Sequence, residues 1–422
     1  MASNAPVAGE KDGSVEINYH TFTWCRHDRR DGVAMIAETV SLGILPPPAV
    51  VASLGLALGI VVMVVMGVLS TYAGLFVMGE FRKQYLWVQS FGDAGEVMGR
   101  SIGMGKVFQE VFGWAQTIFQ IFVMGSHLLT WTICLNTLTN TAACTIVWGV
   151  VGLAIFWALN TPRTLKAAGW YSFVSFASIF SDVMVTMIDV AIEKPIGTTS
   201  FEVSRTIGFT SAFLAVTNIA VAFSGHSRFF AVMSELKQPN DWTKALMLLQ
   251  VSDTVLYIIV SVVIYIYVGP GVIWGIAIPT IVIAGVIYGH VAAKYIFVRV
   301  FAGTKHVAKR TTLGWVGWLG ITAAIWVIAW VIAQSIPVLS NLLGLVCALF
   351  DSWFSYGIPG SLWLWMYYGE WFTSPKRIAQ FSLNALLMLV GLILCALGLW
   401  SSGEAIARDS GTDPWSCKSN AA

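Results

Sequence analysis

Residues 37–60 read AETVSLGILPPPAVVASLGLALGI, an apolar stretch that is long enough to cross a membrane. It opens with a carboxylate, Glu38, and is interrupted by Ser41, by Gly43 and by three consecutive prolines from Pro46. Because proline removes a backbone donor and glycine is a poor helix former, the pattern predicts a helix that is broken inside the membrane. Irregular backbone at that depth occurs where it lines a cavity or is buried in protein. The stretch therefore predicts a binding site.

The rest of the chain is equally apolar. Of its 422 residues, 57% are hydrophobic and only 11% are charged. Soluble domains carry about 25% charged residues, so this composition excludes a water-soluble globular protein. At about 20 residues per span, hydropathy predicts eleven transmembrane helices and leaves no length for a soluble domain. We therefore predict an all-α integral membrane protein with 11 transmembrane helices.

The predicted helices follow one another with short connections. The predicted spans are 33–53, 56–80, 107–135, 142–160, 168–191, 208–234, 245–268, 277–301, 313–334, 338–367 and 378–400. The polar residues 1–32 lack the apolar core of a signal peptide, and we predict that they form a disordered cytosolic tail. Residues 401–422 are predicted to be a short extracytosolic tail.

Positive charge is distributed unevenly between the two predicted sides. Most of the 24 lysines and arginines fall on inner segments when the amino terminus is placed inside. The outer segments hold only Lys194, Arg205, Arg408 and Lys418, and Arg228 lies within a span. Because an excess of Lys and Arg marks cytoplasmic loops, the distribution predicts the amino terminus inside and the carboxyl terminus outside.

The sequence contains no nucleotide-binding loop, zinc pattern or nucleophile elbow. We therefore predict that the protein is not an enzyme, has no cofactor or metal, and binds no nucleic acid. The six cysteines show no paired metal spacing. Cys134 and Cys144 both fall near the predicted outer mouth, where they form either a disulfide or two separate small apolar side chains.

A second interruption lies in predicted span six. The sequence FSGHSR, residues 223–228, places small, polar and charged side chains in the middle of an apolar helix. Spans one and six occupy equivalent positions if residues 33–191 and 208–367 form two inverted repeats, with 378–400 as an additional helix. Paired interrupted spans at equivalent positions indicate the binding site of a transporter.

Two broken helices can bind both charges of an amino acid. The amino terminus of a half-helix presents free N–H groups and about half a positive charge, which favours a carboxylate. The carboxyl terminus of a half-helix presents unpaired carbonyls, which favour an ammonium group. The pair of breaks therefore predicts a receptor for a zwitterion, and an amino acid is the simplest one.

Several acidic residues lie inside predicted spans, where an ionised group is costly. Glu38 either carries a proton, supports a neighbouring helix end through a hydrogen bond, or does neither. Asp351, in the middle of span ten, is a second candidate for proton transfer. For Asp182 and Asp253 we predict contacts between helices instead.

Two basic side chains lie at or beside the second break. Arg228 either pairs with Glu38, reaches a substrate carboxylate, or extends toward the membrane surface. His226 lies in the break itself and is either a hydrogen-bonding group or a titrating switch.

A polar stripe runs along predicted span three. Its residues are spaced so that they share one helical face, which must point to the interior or to water. The stripe consists of Gln109, Gln116, Gln120, His127, Thr130 and Cys134. We predict that Gln116, Gln120 and His127 line the substrate path together with Arg228.

Three segments resemble the amino acid/auxin permease family, in its fungal branch of neutral amino acid permeases. MIAETVSLGILPPP, residues 35–48, resembles the first-span motif of that family. FSGHSRFFAVMSELKQPNDWTKAL, residues 223–246, resembles its sixth span and the following loop, and TPRTLKAAGW, residues 161–170, resembles the connection before its fifth span. The similarity runs from about residue 31 to 400.

The resemblance implies a LeuT-like fold, which has a 5+5 inverted repeat, followed by one extra helix. It implies proton-coupled symport of neutral amino acids by alternating access. The sequence carries no readable sorting signal, and for the location we favour the plasma membrane over the vacuolar membrane. Two rivals stay open, namely an amino acid sensor of the same fold and a sodium-coupled symporter. The resemblance also implies which backbone positions hold the substrate: Ser41, Leu42, Gly43, Ile44, Phe223, Ser224, Gly225 and His226. Arg228 is not expected in this family's pattern.

Overall fold

The computed structural model describes residues 43–163, 168–193, 203–236, 241–268, 278–309, 311–408 and 413–420. These residues form helices and no strands, as the composition predicts. In chain order the helices are α1 (Pro46–Leu54), α2 (Leu56–Gln84), α3 (Phe91–Arg100), α4 (Gly105–Leu138), α5 (Thr145–Leu159), α6 (Ala168–Glu193), α7 (Phe209–Ala222), α8 (His226–Glu235), α9 (Trp242–Val268), α10 (Ile278–Val300), α11 (Lys305–Ala308), α12 (Thr312–Ser335), α13 (Leu339–Met366) and α14 (Pro375–Arg408).

Among the described residues, eight helical segments are long and apolar enough to cross a membrane. They are α2, α4, α9, α10, α12, α13, α14 and the interrupted pair α7–α8. Helix α5 and residues Ala177–Ile188 of α6 form shorter apolar helices at the predicted fourth and fifth spans. The first predicted span, 33–53, is described only from Gly43 onward. The count of eleven spans therefore stays a prediction.

The sequence suggested that the three prolines interrupt a helix, but in the structure they begin one. Pro46, Pro47 and Pro48 form the first turn of α1. Proline is tolerated there because the first N–H groups of a helix have no intrahelical partner. The break lies just before them, at Ile44 and Leu45, which are not helical.

Helices α2 and α13 each contain a π-helical stretch. In α2 it covers Ala73–Met78, and in α13 it covers Cys347–Gly357. A β-carbon added at Gly391 of α14 would lie 2.6 Å from the Ser352 carbonyl oxygen, so α14 packs directly against the wider turns of α13. π-Helical turns are rare and occur frequently at functional sites. The stretch in α13 carries Asp351 at its centre.

Helix α3 lies outside the candidate spans and is fixed by a capping box. The Ser90 hydroxyl accepts a hydrogen bond from the Asp93 N–H at 3.2 Å, and the Asp93 carboxylate accepts one from the Ser90 N–H at 3.1 Å. Burial raises the pKa of the Asp93 carboxyl, against the opposing effect of the backbone N–H groups of Gln89 and Ser90. Helix α3 packs along α4. It therefore stabilises the half of α4 that is predicted to lie toward the cytosol.

The bundle has central and peripheral helices. Helices α4 and α13 are largely surrounded by other helices, whereas α12 and α14 present most of their surface outward. Helix α14 also extends beyond the predicted span 378–400, since residues 401–408, predicted as tail, continue it to Arg408. The ion pair between Glu404 and Arg408, one turn apart, stabilises this extension.

The structure contains a disulfide, but it is not the Cys134–Cys144 bond that the sequence left open. Cys144 is bonded to Cys417, whereas Cys134 is a buried thiol outside this disulfide. Cys134 lies on α4 near Asp182 of α6. The disulfide ties residues 413–420, which we call the tail strap, to the beginning of α5.

Hydrogen bonds and a ring contact hold the tail strap against three helices. The Asn420 amide nitrogen donates to the Thr132 hydroxyl at 2.8 Å, and the Asn136 amide nitrogen donates to the Asn420 side-chain oxygen at 2.8 Å. The Thr145 hydroxyl donates to the Lys418 carbonyl at 2.7 Å. The ring of Trp415 packs edge to face against Trp330 of α12. The strap therefore fastens the ends of α4, α5 and α12 together.

Candidate functional site

The two helix breaks lie against each other. A β-carbon added at Gly43 would lie 2.9 Å from the Ala222 carbonyl oxygen, at the last residue of α7, and closer still to the Tyr257 hydroxyl. That hydroxyl donates to the same Ala222 carbonyl at 3.2 Å. Tyr257 of α9 therefore joins the first break to the second. Sequence reasoning missed this residue, since a tyrosine in an apolar span resembles an interfacial anchor.

The second break is a short non-helical segment. Helix α7 ends at Ala222, and α8 begins at His226 after Phe223, Ser224 and Gly225. The interruption predicted from FSGHSR is therefore present. Because backbone groups left unpaired by a break are costly in a membrane, side chains must satisfy them.

Side chains of α2 and α9 stabilise this segment. The Ser70 hydroxyl donates to the Phe223 carbonyl at 2.9 Å and accepts from the Gln250 amide nitrogen at 3.1 Å. The His226 Nε2 lies 3.0 Å from the Ser70 carbonyl, an arrangement that requires Nε2 to carry the proton. The geometry fits the hydrogen-bonding role that was one of the two alternatives for His226.

A second polar cluster lies on the other side of the break, around Asp351. This carboxylate is 1% exposed, and among the described residues neither of its oxygens has a hydrogen-bond partner of ordinary geometry. Ser224 and the Arg228 guanidinium lie close enough to act on it electrostatically. An uncompensated charge at such a site is expensive, so the site favours either a neutral carboxyl or a carboxylate that keeps a nearby cation.

Arg228 connects this cluster to α10. Its guanidinium carbon lies 4.6 Å from the centre of the Tyr288 ring. The Gln116 amide nitrogen of α4 donates to the Ser227 carbonyl at 2.6 Å, next to Arg228 in the chain. His127 packs beside Tyr288, with ring centres 5.9 Å apart. Tyr288 was not predicted from the sequence, for the same reason as Tyr257.

The polar stripe of α4 does not face one path along its whole length. Gln116 and His127 reach the central clusters, and Gln120 is buried in the interior. Gln109 instead donates to Glu96 of α3 at 3.0 Å, and Cys134 faces α6. A helix that runs from Gly105 to Leu138 meets different neighbours at its two ends. Residues on one face of it therefore need not line the same path.

Three predicted residues, Glu38, Ser41 and Leu42, lie outside the described residues. Gly43 and Ile44 are described and buried. Asp253 lies one turn from Tyr257 on α9, is buried, and has no hydrogen-bond partner for its carboxylate oxygens among the described residues. The described part of the chain contains no group of three or more histidines, cysteines or acids that could hold a metal.

Comparison with known proteins relates the chain to transmembrane transporters. A family model described as transmembrane amino acid transporter protein matches residues 30–403. The chain is 28% identical over 427 residues to the N amino acid transport system protein of Neurospora crassa, which covers 94% of this chain and 89% of that protein. It is also 28% identical over 421 residues to a transmembrane transporter of Fusarium pseudograminearum, with 94% of this chain and 86% of that protein covered.

Proposed function

Because this chain belongs to the family of transmembrane amino acid transporter proteins, we propose that it carries neutral amino acids across a membrane by proton-coupled symport with alternating access. The contact between the two breaks carries the proposal. Gly43 meets Ala222 and Tyr257, so the backbone of the first break and the end of α7 border one small region. In this proposal, the carbonyls at the end of α7 and the N–H groups at the start of α8 would supply the two kinds of backbone group that a zwitterion requires.

The proposed fold is the five-plus-five inverted repeat with an additional helix. Two features support it. The interruptions lie in the first and sixth predicted spans, and the family model covers nearly the whole chain. The binding backbone would be Ser41, Leu42, Gly43, Ile44 and Phe223 through His226, and the helices around it would rock to expose the site to either side.

For proton coupling we propose Asp351, with Glu38 as the alternative. Asp351 is buried, lies at the centre of a π-helical stretch and faces the second break through Ser224. A carboxyl that alternates between neutral and ionised forms inside the bundle can carry one proton per cycle. The rival sodium-coupled symporter would use hydroxyl and carbonyl oxygens instead, and the rival sensor would bind amino acid without moving it.

The test of this function is uptake into proteoliposomes that contain the full-length protein. We expect radiolabelled neutral amino acids to accumulate under an inward pH gradient and not under an inward sodium gradient alone. Accumulation driven by sodium alone would establish the sodium-coupled rival. Saturable binding without uptake under any gradient would establish the sensor. The Glu38→Gln variant, measured in parallel, separates the two proton candidates.

The tail strap supports an orientation with the carboxyl terminus outside the cytosol. Disulfides persist in oxidising compartments and are rare in the cytosol, so the Cys144–Cys417 bond is expected on the extracytosolic side. The same side follows from the predicted distribution of positive charge. A plasma-membrane location would place this face outside the cell.

Cysteine labelling in intact cells should report this orientation. In a variant that keeps only Cys144 and Cys417, a membrane-impermeant maleimide should label neither residue before mild reduction and both residues after it. We expect at least a tenfold increase in labelling without permeabilisation, since a thiol becomes reactive only when the disulfide is opened. Labelling that requires permeabilisation even after reduction would place the strap in the cytosol. The Cys417→Ser variant, labelled at Cys144 without reductant, is the matched control.

A further inference from the structure

The Arg228 guanidinium lies near two groups that interact with it, Tyr288 and Asp351. It packs over the ring of Tyr288 at 4.6 Å, and it also interacts with the Tyr288 hydroxyl. Asp351 is 1% exposed, has no hydrogen-bond partner for either carboxylate oxygen among the described residues, and lies close enough to interact electrostatically with the same guanidinium. Arg228 is the third residue of α8, so it also lies in the first turn after the second break.

At this position a carboxylate that enters the site meets two positive groups, the amino terminus of α8 and the Arg228 guanidinium. The first turn of a helix such as α8 offers N–H groups and a partial positive charge, and Arg228 adds a full positive charge beside it. An ionised Asp351 offers the same guanidinium a carboxylate at the same depth. One buried cation can neutralise one carboxylate well, and a second carboxylate beside it would remain largely uncompensated.

We propose that Arg228 alternates between Asp351 and the carboxylate of the substrate, so that proton binding and amino acid binding are linked. The inference rests on the proposed transport function and adds the residue that connects its two ligands. While Asp351 is ionised, it holds Arg228. When Asp351 takes up a proton, its charge is removed and the guanidinium accepts the substrate carboxylate. When the substrate leaves, Asp351 releases the proton and recovers Arg228. One proton therefore accompanies each amino acid.

Few other titratable groups surround Asp351 in the described part of the chain. On its own helix the neighbours are Cys347 and Tyr356, and Tyr288 faces it from α10. Cys395 of α14 lies beside Cys347. Thiols and phenols are ordinarily neutral near pH 7, so among the described residues Arg228 is the cation that faces this carboxylate. Glu38 lies outside the described residues and enters the test as its own variant.

The test is amino acid binding to the full-length protein in nanodiscs as a function of pH. We expect the affinity of the wild-type protein to fall as pH rises, by up to about tenfold per pH unit across the range in which Asp351 loses its proton. In Arg228→Gln, binding should be weak at every pH, by about tenfold to a hundredfold, because the charge-assisted contact is lost. In Asp351→Asn, binding should be equally independent of pH but tight, close to the low-pH value of the wild type.

The opposite effects of the two variants make the outcomes decisive. A pH dependence that persists in Arg228→Gln would overturn the exchange, as would weak binding in a folded Asp351→Asn. Loss of pH dependence in Glu38→Gln, with the dependence kept in Asp351→Asn, would move the proton to Glu38 and also overturn it. If Arg228→Gln does not fold, Asp351→Asn decides alone, and Arg228→Lys should retain the slope because it retains the charge. Absence of amino acid binding in the wild type would instead contradict the proposed function itself.

Discussion

The Asp351→Asn variant should lose proton-driven accumulation of amino acid by at least about tenfold while it continues to exchange labelled for unlabelled substrate. An asparagine has almost the volume and shape of the neutral aspartic acid, so the packing of the π-helical stretch is preserved. It cannot give up a proton, and the cycle therefore proceeds without proton transfer. Substrate then equilibrates across the membrane but is no longer concentrated. The measurement is uptake into proteoliposomes with and without a pH gradient, beside counterflow exchange.

Asp413→Asn is the matched control for this experiment. Asp413 belongs to the tail strap and pairs with Lys418 at 2.5 Å, and both side chains are more than half exposed. Exposed ion pairs contribute about 0–1 kcal/mol, so the same chemical change there should leave accumulation unaltered. If Asp351→Asn accumulates substrate as well as the control variant does, Asp351 does not carry the proton. If exchange is lost together with accumulation, the carboxylate supports binding or folding rather than coupling.

The sequence predicted the helical class and the second break for a clear physical reason. Helices in a membrane need long apolar segments, and polar residues that interrupt one are costly, so both leave a visible pattern. The segment from Phe223 to Gly225 stands out in that pattern. The prolines from Pro46 also stand out, but their effect depends on where the helix begins. At the first turn they initiate α1, and in its interior they would have broken it.

Other parts of the site leave no such pattern. Tyr257 and Tyr288 occur in apolar spans where tyrosine is common, and only the packing brings one to the break and the other to Arg228. The π-helical turns around Asp351 have the composition of an ordinary helix, because both forms bury the same residue types. The partner of Cys144 is 273 residues away in the chain, and six cysteines allow 15 complete pairings, so proximity in sequence could not identify it.

The Gly43→Ala variant should lower substrate affinity and transport by about tenfold to a hundredfold. The added methyl group would lie 2.9 Å from the Ala222 carbonyl oxygen and 3.2 Å from the ring carbon that carries the Tyr257 hydroxyl, and closer to the hydroxyl itself. Tyr257 is fully buried, and Ala222 is backbone at the end of α7, so neither can move aside easily. Overpacking of this kind costs about 1–3 kcal/mol, and here the two breaks would have to separate.

Two further variants show whether contact between the breaks causes the loss. Gly320→Ala makes the same change in α12 at a position where an added β-carbon meets nothing within 4 Å, and it should leave affinity unchanged or raise stability slightly. Tyr257→Phe removes the hydroxyl that approaches Gly43, so Gly43→Ala should cost less in that background than in the wild type. The difference between the two costs is the coupling between the residues. Equal costs in both backgrounds would mean that Gly43 acts through something other than this contact, and the receptor formed by two touching breaks would lose its main support.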